Sequence, residues 1–245
     1  MINGLNPKRH FLLKNTVSRW WNPKYERYSQ EIMNIIKPIE QGLCLEVGSG
    51  DGRYTIPLAQ YGNLTIGVDL SNEMIERCMK RIEQAKNKNI MLIQADAEHL
   101  PFKNETFKKV VCIATLVHIP NYENTVNEYF RVTQNNGCII TENISLLHPT
   151  ILYYWLKNKI VRILFKENKL KLIPYYPRTP WKIKNAFQKR EFKIEEICGF
   201  YIILPLIIVK HINLFAYNLK SSKLKYFGSG LVVRAKKTIN HAIEQ

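Results

Sequence analysis

The chain has 245 residues, of which 46% are hydrophobic, and its formal net charge is +16. This length allows one α/β domain or a domain with an appendage, and the hydrophobic content is ample for a core. The charge is uneven, because residues 1–150 carry a net +2 and residues 151–245 carry a net +14. This asymmetry favours an anionic membrane surface, a nucleic acid or an acidic substrate as partner, although a solvated lysine-rich face would give the same count.

The five cysteines occur without C-x-x-C spacing, and Cys44, Cys112 and Cys138 fall inside apolar runs. Cysteines in such runs act as small hydrophobic residues, so we predict neither a metal site nor a disulfide framework. Residues 1–16 lack the apolar stretch of a signal peptide. Together these features predict a reduced, cytoplasmic protein.

A glycine-rich turn follows the first predicted strand. The apolar run Leu43–Val47 includes Glu46 near its end, Ser49 lies within the turn, and glycines stand at positions 48, 50 and 52. A helical pattern begins at Tyr54. Strand, glycine turn and helix in this order bring bare backbone against a ligand. The preceding carboxylate suits an ammonium group and would repel a phosphate, so spacing and charge both differ from the dinucleotide-binding turn.

Two further apolar runs end in acidic residues. The second predicted strand ends at Asp69, and the third apolar run leads into Asp96 and Ala97. Between them, Ser71 is the predicted N-cap of a helix from Asn72 to Ala85. A carboxylate at the end of a second strand can accept both ribose hydroxyls of an adenosine. One acidic residue at a strand end is common in turns, but three in succession indicate one ligand site.

The motifs continue in order and resemble those of class I S-adenosylmethionine-dependent methyltransferases, in particular the methyltransferase-11 family with its ubiquinone- and menaquinone-biosynthesis members. The segments that carry the resemblance are Glu46–Gly52, Leu100–Phe102, Thr106–Ala114, His118–Pro120, Tyr129–Ile140 and Gly228–Ala235. Lys108 replaces the family's usual aspartate, and Asn135 and Asn136 replace a Pro-Gly pair. The resemblance is good over residues 40–145. It implies an α/β Rossmann-like fold with a seven-stranded, mostly parallel sheet, helices on both faces and helical lid insertions.

The resemblance also implies S-adenosylmethionine as the cofactor. Glu46 is expected beside the methionine ammonium, Asp69 at the ribose and Asp96 at the adenine edge. The full set of expected cofactor-binding residues is Glu46, Gly48, Ser49, Gly50, Gly52, Asp69, Leu70, Asp96, Ala97 and Ile113, with Tyr25 and Tyr28 from an N-terminal segment that closes over the cofactor in relatives. That segment also contains Trp20, Trp21 and Arg27, and ordinary packing would explain most of these side chains equally well.

His118 follows the fourth predicted strand, where many small-molecule methyltransferases place a histidine. A general base is needed only when the acceptor must lose a proton to become nucleophilic. By position, His118 is the candidate catalytic residue, and a structural histidine is the alternative.

We predict one methyltransferase domain over residues 1–245. Its parts are an N-terminal helical cover (1–40), a cofactor-binding core (41–145), a basic amphipathic lid (146–195) and the last strands (196–237). The segment 151–166 has apolar and basic residues on different faces of a predicted helix, with Trp155 among the basic ones, as at a lipid headgroup interface. The apolar run 200–209 is too short to span a membrane, and its first half is predicted as the sixth strand. Lid helices packed on the core are the alternative.

Three functions fit these features. The first is methyl transfer to a small or lipid-like acceptor, such as a quinone or another prenylated aromatic ring, with peripheral contact to an anionic membrane. The second is a tRNA methyltransferase of the wobble-uridine type. Its expected basic, aromatic surface consists of Arg178, Lys182, Lys184, Lys189, Arg190 and Lys193 with Tyr175, Tyr176 and Trp181. The third is a non-catalytic S-adenosylmethionine-binding or membrane-associated protein.

Overall fold

The computed structural model describes residues 23–37, 41–60, 64–86, 88–149, 151–153, 155–156, 176–200 and 223–238, with the side chains of 23–27 and 223–224 not described. The helices are α1 (Pro23–Ile36), α2 (Thr55–Gln60), α3 (Asn72–Ala85), α4 (Tyr122–Val132) and α5 (Pro180–Gln188). The strands are β1 (Cys44–Val47), β2 (Thr65–Asp69), β3 (Ile90–Gln94), β4 (Phe107–Cys112), β5 (Thr133–Ile144), β6 (Phe192–Phe200) and β7 (Gly230–Lys237). Two 3-10 helices span Leu116–His118 and Lys223–Phe227.

All seven of these strands form one sheet in the order β3-β2-β1-β4-β5-β7-β6. Strands β1 to β5 pair in parallel, whereas β7 is antiparallel to both of its neighbours, β5 and β6. Strand β6 therefore runs in the same direction as β5, and the carboxyl ends of six strands lie at one edge. The predicted α/β fold with a mostly parallel seven-stranded sheet is confirmed.

Helices cover both faces of the sheet. On one face the core contains Ile32 and Ile36 from α1 and Leu58 from α2, packed against Val111 and Val232. The core of the other face is filled by residues from α4, α5 and the strands, including Tyr129, Phe187 and Phe107, all with no exposed surface. Burial of large side chains on both faces supplies the main stabilisation of this layered fold.

Local signals in the sequence place the elements around the glycine turn correctly. Helix α3 has the predicted bounds, and the Oγ of its N-cap, Ser71, accepts a hydrogen bond from the N–H of Met74 at 3.4 Å. Asn136 has φ 57°, the left-handed conformation that asparagine tolerates where the family has Pro-Gly. Cys44 and Cys112 are buried in β1 and β4, as expected for small hydrophobic residues.

The position predicted for the sixth strand is wrong at its start. Strand β6 begins at Phe192, inside the segment that we assigned to the lid, and its described part ends at Phe200. The prediction followed the apolar run 200–209, of which residues 201–209 lie outside the described part. Strand β6 is at the edge of the sheet, and Lys193, Glu195 and Glu196 interrupt its apolar residues, so only its end, Cys198–Phe200, is continuously buried.

Parts of the N-terminal cover and of the lid lie outside the described residues, among them Trp20, Trp21, Tyr175 and residues 157–175. Residues 151–153 and 155–156 are helical, as predicted for the start of the lid helix. Among the helices that can be described, none is long and apolar enough to cross a membrane.

Candidate active site

The predicted cofactor residues lie at the carboxyl edge of the sheet. The strand order reverses between β1 and β4, because β2 and β3 extend the sheet on one side of β1 and β5 extends it on the other side of β4. In open α/β sheets such a reversal leaves a crevice at the carboxyl ends of the strands, and ligands bind there. The glycine turn follows β1 at this point.

The glycine turn has the left-handed backbone that its residues permit. Gly48, Gly50 and Gly52 have φ values of 77°, 53° and 86°. The N–H groups of Gly48 and Ser49 donate to the carbonyl of Val68 at 2.7 and 2.9 Å, which holds the turn against β2. A Cβ at Gly52 would lie 2.6 Å from the Sγ of Cys78, whereas a Cβ at Gly50 would meet nothing within 4 Å. The turn is therefore tightly packed behind Gly52 and open at Gly50.

Asp69 ends β2 opposite this opening. Its Oδ2 accepts a hydrogen bond from the N–H of Gly50 and its Oδ1 accepts one from the N–H of Ser71, both at 2.9 Å. Burial raises the pKa of Asp69, and these backbone hydrogen bonds lower it. The carboxylate thus ties the open glycine to the start of α3. Each of its oxygens keeps a second lone pair, which can accept a ligand hydroxyl.

Glu46 is buried on β1, with 2% of its surface exposed. Its Oε2 accepts a hydrogen bond from the Oγ1 of Thr55, the first residue of α2. Burial raises the pKa of Glu46 to about 8, the bond from Thr55 lowers it, and the negative charges of Asp69 and Asp51 raise it. A nearby cation would therefore favour the ionised form of this carboxyl.

Backbone contacts bring the other predicted cofactor residues to the same place. The N–H of Ala95 donates to the carbonyl of Asp69 at 3.1 Å, which sets Asp96 and buried Ala97 beside the end of β2. The carbonyl of Leu70 accepts a hydrogen bond from Gln94 at 3.0 Å. Ile113 is buried directly after β4. The structure thus gathers the predicted adenine, ribose and methionine residues along the ends of β1 to β4.

His118 ends the 3-10 helix that follows β4, and it is half-buried. Its N–H donates to the carbonyl of Thr115 at 2.9 Å. The Oγ1 of Thr115 in turn lies 3.4 Å from the carbonyl of Gly48, so the histidine-bearing loop abuts the glycine turn. This position is compatible with the predicted catalytic role, which stays a prediction.

The two N-terminal tyrosines have different outcomes. Tyr25 lies in α1, but its side chain is outside the described residues. Tyr28 is buried, and its hydroxyl donates a hydrogen bond to Oε1 of Glu142 on β5. Contact of Tyr28 with the cofactor's carboxylate stays a prediction, whereas its contact with a protein carboxyl is a finding.

Arg178, which we predicted as part of a nucleic-acid-binding surface, is buried. Arg178 is 7% exposed, and its guanidinium donates to the carbonyls of Leu116, Ile119 and Tyr176 at 2.6–3.0 Å. It also lies over the ring of Tyr122, 4.4 Å from the ring centre. The inclusion of Arg178 in an RNA-binding surface is therefore wrong, because this cation supports the loop that carries His118. The exposed members of the set are Lys182, Lys184, Lys189, Lys193, Tyr176 and Trp181.

Two residues that contact the loops of this site were missed from the sequence, Glu142 and Thr115. Glu142 is a buried carboxyl whose Oε2 accepts a hydrogen bond from the N–H of Ala114 at 3.0 Å, and Thr115 packs against Gly48. A signal for Glu142 was present, because it is a lone acidic residue in the apolar run of β5. No local signal marks Thr115, since its role depends on the loop after β1.

The comparisons agree with this geometry. Residues 45–141 match the family model of the methyltransferase domain. The chain is 34% identical over 103 residues to a phosphatidylethanolamine N-methyltransferase from Cereibacter sphaeroides, covering 42% of this chain and 50% of that protein. It is 30% identical over 113 residues to a demethylmenaquinone methyltransferase from Lactococcus lactis, covering 45% and 44%.

A solved structure of a methyltransferase from Thermotoga maritima, described as a possible histamine N-methyltransferase, superposes with a TM-score of 0.69. Its sequence identity is 20%, and the match covers 95% of this chain and 98% of that one. This likeness shows the shared fold. The chain spans about half the length of the curated relatives that it matches.

Residues 45–141 form a methyltransferase domain of the class I S-adenosylmethionine-dependent type. The residues present fit the family's cofactor. The open space at Gly50 gives a ligand access to the backbone of the turn, and the carboxylate of Asp69 beside it can accept hydroxyl groups. Across the described ranges, no group of three or more histidine, cysteine, aspartate or glutamate residues is arranged to hold a metal ion.

Proposed function

We propose that this protein transfers a methyl group from S-adenosylmethionine to a small or lipid-like acceptor at the carboxyl edge of the sheet. The observation that carries the proposal is the open glycine at position 50, hydrogen-bonded to Asp69 beside it. Backbone access next to a hydroxyl-accepting carboxylate is what an adenosine cofactor without a phosphate needs. The relatives named for methyl transfer to phosphatidylethanolamine and demethylmenaquinone support a lipid-like acceptor.

When bound, S-adenosylmethionine supplies an electrophilic methyl group on a positively charged sulfur. The protein then has two tasks, which are to align the acceptor with that methyl group and to exclude water. Asp69 and the glycine turn hold the donor side, with Glu46 and Thr55 fixing the turn between β1 and α2. We propose His118, on the loop after β4, as the residue that accepts a proton when the acceptor must lose one.

The described start of the lid supports contact with a lipid surface. Leu152, Tyr153, Trp155 and Leu156 are all at least one third exposed, on a segment that leaves the sheet at the carboxyl end of β5. Trp181, at the start of α5, is 58% exposed and stands next to the exposed Lys182. Aromatic and aliphatic side chains beside lysines suit the headgroup region of an anionic membrane.

A transfer assay tests the acceptor class. The protein is incubated with tritium-labelled S-adenosylmethionine and one of three acceptors: phosphatidylethanolamine vesicles, vesicles containing a demethylmenaquinone, or bulk tRNA. We expect label in a vesicle fraction and none in tRNA. Asp69→Asn should lose the transfer, and Glu123→Gln, an exposed change on α4, should keep it. Label in tRNA alone would replace the proposal with the wobble-uridine type of methyltransferase.

Flotation tests the membrane contact separately. We expect the protein to float with vesicles that contain phosphatidylglycerol and to stay at the bottom with phosphatidylcholine alone. A variant with Trp155→Ser and Trp181→Ser should lose flotation while keeping its fold, because both side chains are exposed. Equal flotation on neutral and anionic vesicles, or none on either, would contradict an anionic membrane as the partner of this surface.

A further inference from the structure

Glu142 is a carboxyl group buried in the middle of the sheet, with 7% of its surface exposed. It lies on β5 between apolar residues of the face that α1 covers, with Ile140 two positions earlier on the strand and Val232 opposite on β7. A buried carboxyl is costly unless its oxygens accept hydrogen bonds. Both oxygens of Glu142 do so, and the two donors come from different parts of the chain.

The first donor is on α1. The hydroxyl of Tyr28 donates to Oε1 of Glu142, across a separation of 114 residues in sequence. The Tyr28 ring also packs edge-on against Phe200 at the end of β6, with ring centres 5.2 Å apart. Tyr28 therefore holds its helix to β5 through a polar contact and to β6 through an apolar one.

The second donor is the loop after β4. The N–H of Ala114 donates to Oε2 of Glu142 at 3.0 Å, and Ala114 has φ 56°, a left-handed conformation that alanine rarely adopts. The next residue, Thr115, contacts Gly48 of the glycine turn. Through this one backbone bond, Glu142 supports an unfavourable conformation directly beside the cofactor turn.

The sheet provides the space for this pair at Gly230. A Cβ at Gly230 would lie 3.0 Å from Oε1 of Glu142 and 3.3 Å from the hydroxyl oxygen of Tyr28. Even an alanine at the first residue of β7 would press on both groups. The arrangement of Tyr28 and Glu142 thus depends on three separate elements, α1, β5 and β7.

The far end of α1 is attached independently. Arg234 of β7 donates to the carbonyls of Ile35 and Lys37 at 2.9 and 2.8 Å, and Lys109 of β4 donates to the carbonyl of Ile36 at 2.6 Å. These cations satisfy carbonyls that the helix C-terminus leaves without partners. Loss of the hydrogen bond between Tyr28 and Glu142 would therefore loosen α1 near Tyr28, where apolar packing on Phe200 remains, while the C-terminal end stays attached.

We propose that Glu142 is a positioning residue of the methyl-transfer site, which holds α1 and the loop after β4 together at the carboxyl edge through Tyr28 and Ala114. The arrangement of Tyr28, Glu142 and Ala114 follows from the contacts above. Its importance for methyl transfer rests on the proposed function. Burial raises the pKa of Glu142 and the hydrogen bond from Tyr28 lowers it, so the two donors offset part of the cost of burying this group.

The test uses Glu142→Leu, Glu142→Gln and Tyr28→Phe, with Glu123→Gln of α4 as the matched control on the opposite face. Hydrogen exchange is followed by mass spectrometry in peptides covering residues 28–37 and 111–118, and binding of S-adenosylhomocysteine is measured by calorimetry. Glu142→Gln should behave like the unchanged protein within about threefold, because its amide can accept from Ala114 and donate to the oxygen of Tyr28.

For Glu142→Leu we expect exchange about tenfold faster in both segments and affinity for S-adenosylhomocysteine about tenfold weaker, since both donors lose their acceptor. Tyr28→Phe should speed exchange in residues 28–37 only. If Glu142→Leu fails to fold, Tyr28→Phe decides, because it removes a single hydroxyl. Unchanged exchange in residues 28–37 of Tyr28→Phe would overturn the inference. Absence of binding by the unchanged protein would instead overturn the proposed function.

Discussion

Thr115 occupies the space that any side chain at Gly48 would need. A Cβ at Gly48 would lie 2.0 Å from the Oγ1 of Thr115 and 2.5 Å from its Cγ2. The two residues belong to the loops that follow the neighbouring strands β1 and β4, where the order of the sheet reverses. The shape of the cofactor turn is therefore set as much by the loop after β4 as by its own glycines.

This contact predicts different outcomes for two glycines of the same turn. Gly48→Ala should lower the free energy of unfolding by about 3 kcal/mol or more, because overpacking adds to a left-handed φ of 77°. Gly50→Ala should cost only about 1 kcal/mol, since φ is 53° but the space is open. Urea denaturation of both variants measures the difference.

For ligand affinity, in contrast to stability, we expect a large effect of Gly50→Ala. The methyl group of Gly50→Ala projects into the opening beside Asp69, so we expect its affinity for S-adenosylhomocysteine to fall at least tenfold in calorimetry. Equal stability of the two variants would contradict the tight contact between Gly48 and Thr115. Full affinity in Gly50→Ala would show that the ligand does not approach the turn at this residue.

Asp69→Asn should weaken both the turn and cofactor binding. The two carboxylate oxygens of Asp69 accept hydrogen bonds from the N–H groups of Gly50 and Ser71. An asparagine has only one side-chain oxygen, and its amide nitrogen cannot accept, so one of the two bonds is lost. Loss of a hydrogen bond to a charged group costs about 1.5–3 kcal/mol. We expect a matching loss in urea denaturation, and a further loss of at least tenfold in affinity for S-adenosylhomocysteine. Unchanged affinity would mean that the ribose is held elsewhere.

The raised pKa of Glu46 predicts that the free energy of unfolding falls as the pH rises. Its pKa in the folded protein is about 8, above its ordinary value of 4.5, so the folded state binds this proton more tightly than the unfolded state. The resulting stabilisation is fully present below pH 4.5 and is lost as the pH rises through 8. Glu46→Gln has no proton to lose and can still accept the bond from Thr55.

The measurement compares urea denaturation of the unchanged protein and Glu46→Gln between pH 5 and pH 8. We expect the variant to gain stability relative to the unchanged protein across this range, by roughly 1–4 kcal/mol at the upper end. Glu123→Gln provides the control, because Glu123 is exposed and ion-paired with Arg190 on the other face of the sheet. Parallel pH curves for Glu46→Gln and the unchanged protein would contradict the raised pKa.

The buried hydrogen bonds of Arg178 predict a clear loss of stability when a methionine of similar length replaces it. Arg178→Met removes the hydrogen bonds to the carbonyls of Leu116, Ile119 and Tyr176, of which the first two are buried. The carbonyl of Leu116 keeps the N–H of Ile119, so we expect a cost of about 1–3 kcal/mol, mainly from the carbonyl of Ile119. Arg178→Lys should restore only part of the loss, since one ammonium cannot reproduce the planar fork. The free energy of unfolding measures both.

An exposed cation of the same segment serves as the comparison. Lys182→Met should change the free energy of unfolding by less than about 0.5 kcal/mol, because Lys182 is exposed on α5. A similar effect of the two methionine variants would contradict the structural role of Arg178.

Signals that act over a few residues were sufficient for much of the fold. The strands around the glycine turn are continuous apolar runs because they are buried in a parallel sheet, and α3 begins at a serine cap with a regular apolar face. The order of the acidic strand ends then predicted the gathering of Glu46, Asp69 and Asp96. Each of these features is encoded by neighbouring residues.

Contacts between distant residues were not predictable in this way. The pairing of Tyr28 with Glu142 and of Gly48 with Thr115 depends on how the sheet is assembled. Arg178 was misread because a basic residue in a basic segment is usually exposed, and only the packing shows it among carbonyls. Strand β6 was misplaced because Lys193, Glu195 and Glu196 interrupt its apolar pattern, whereas the run after residue 200 is continuously apolar.

The direction of β6 bears on how the protein can acquire new substrates. Since β6 is parallel to β5, Ile144 at the end of β5 and Phe200 in β6 both lie toward the edge with the glycine turn. In the segment between β5 and β6, Arg178 and the buried face of α5 are attached to the core, whereas Leu152, Tyr153 and Leu156 expose more than a third of their surface. Transplantation of such exposed side chains from relatives would therefore change one rim of this edge and leave the glycine turn and Asp69 as they are.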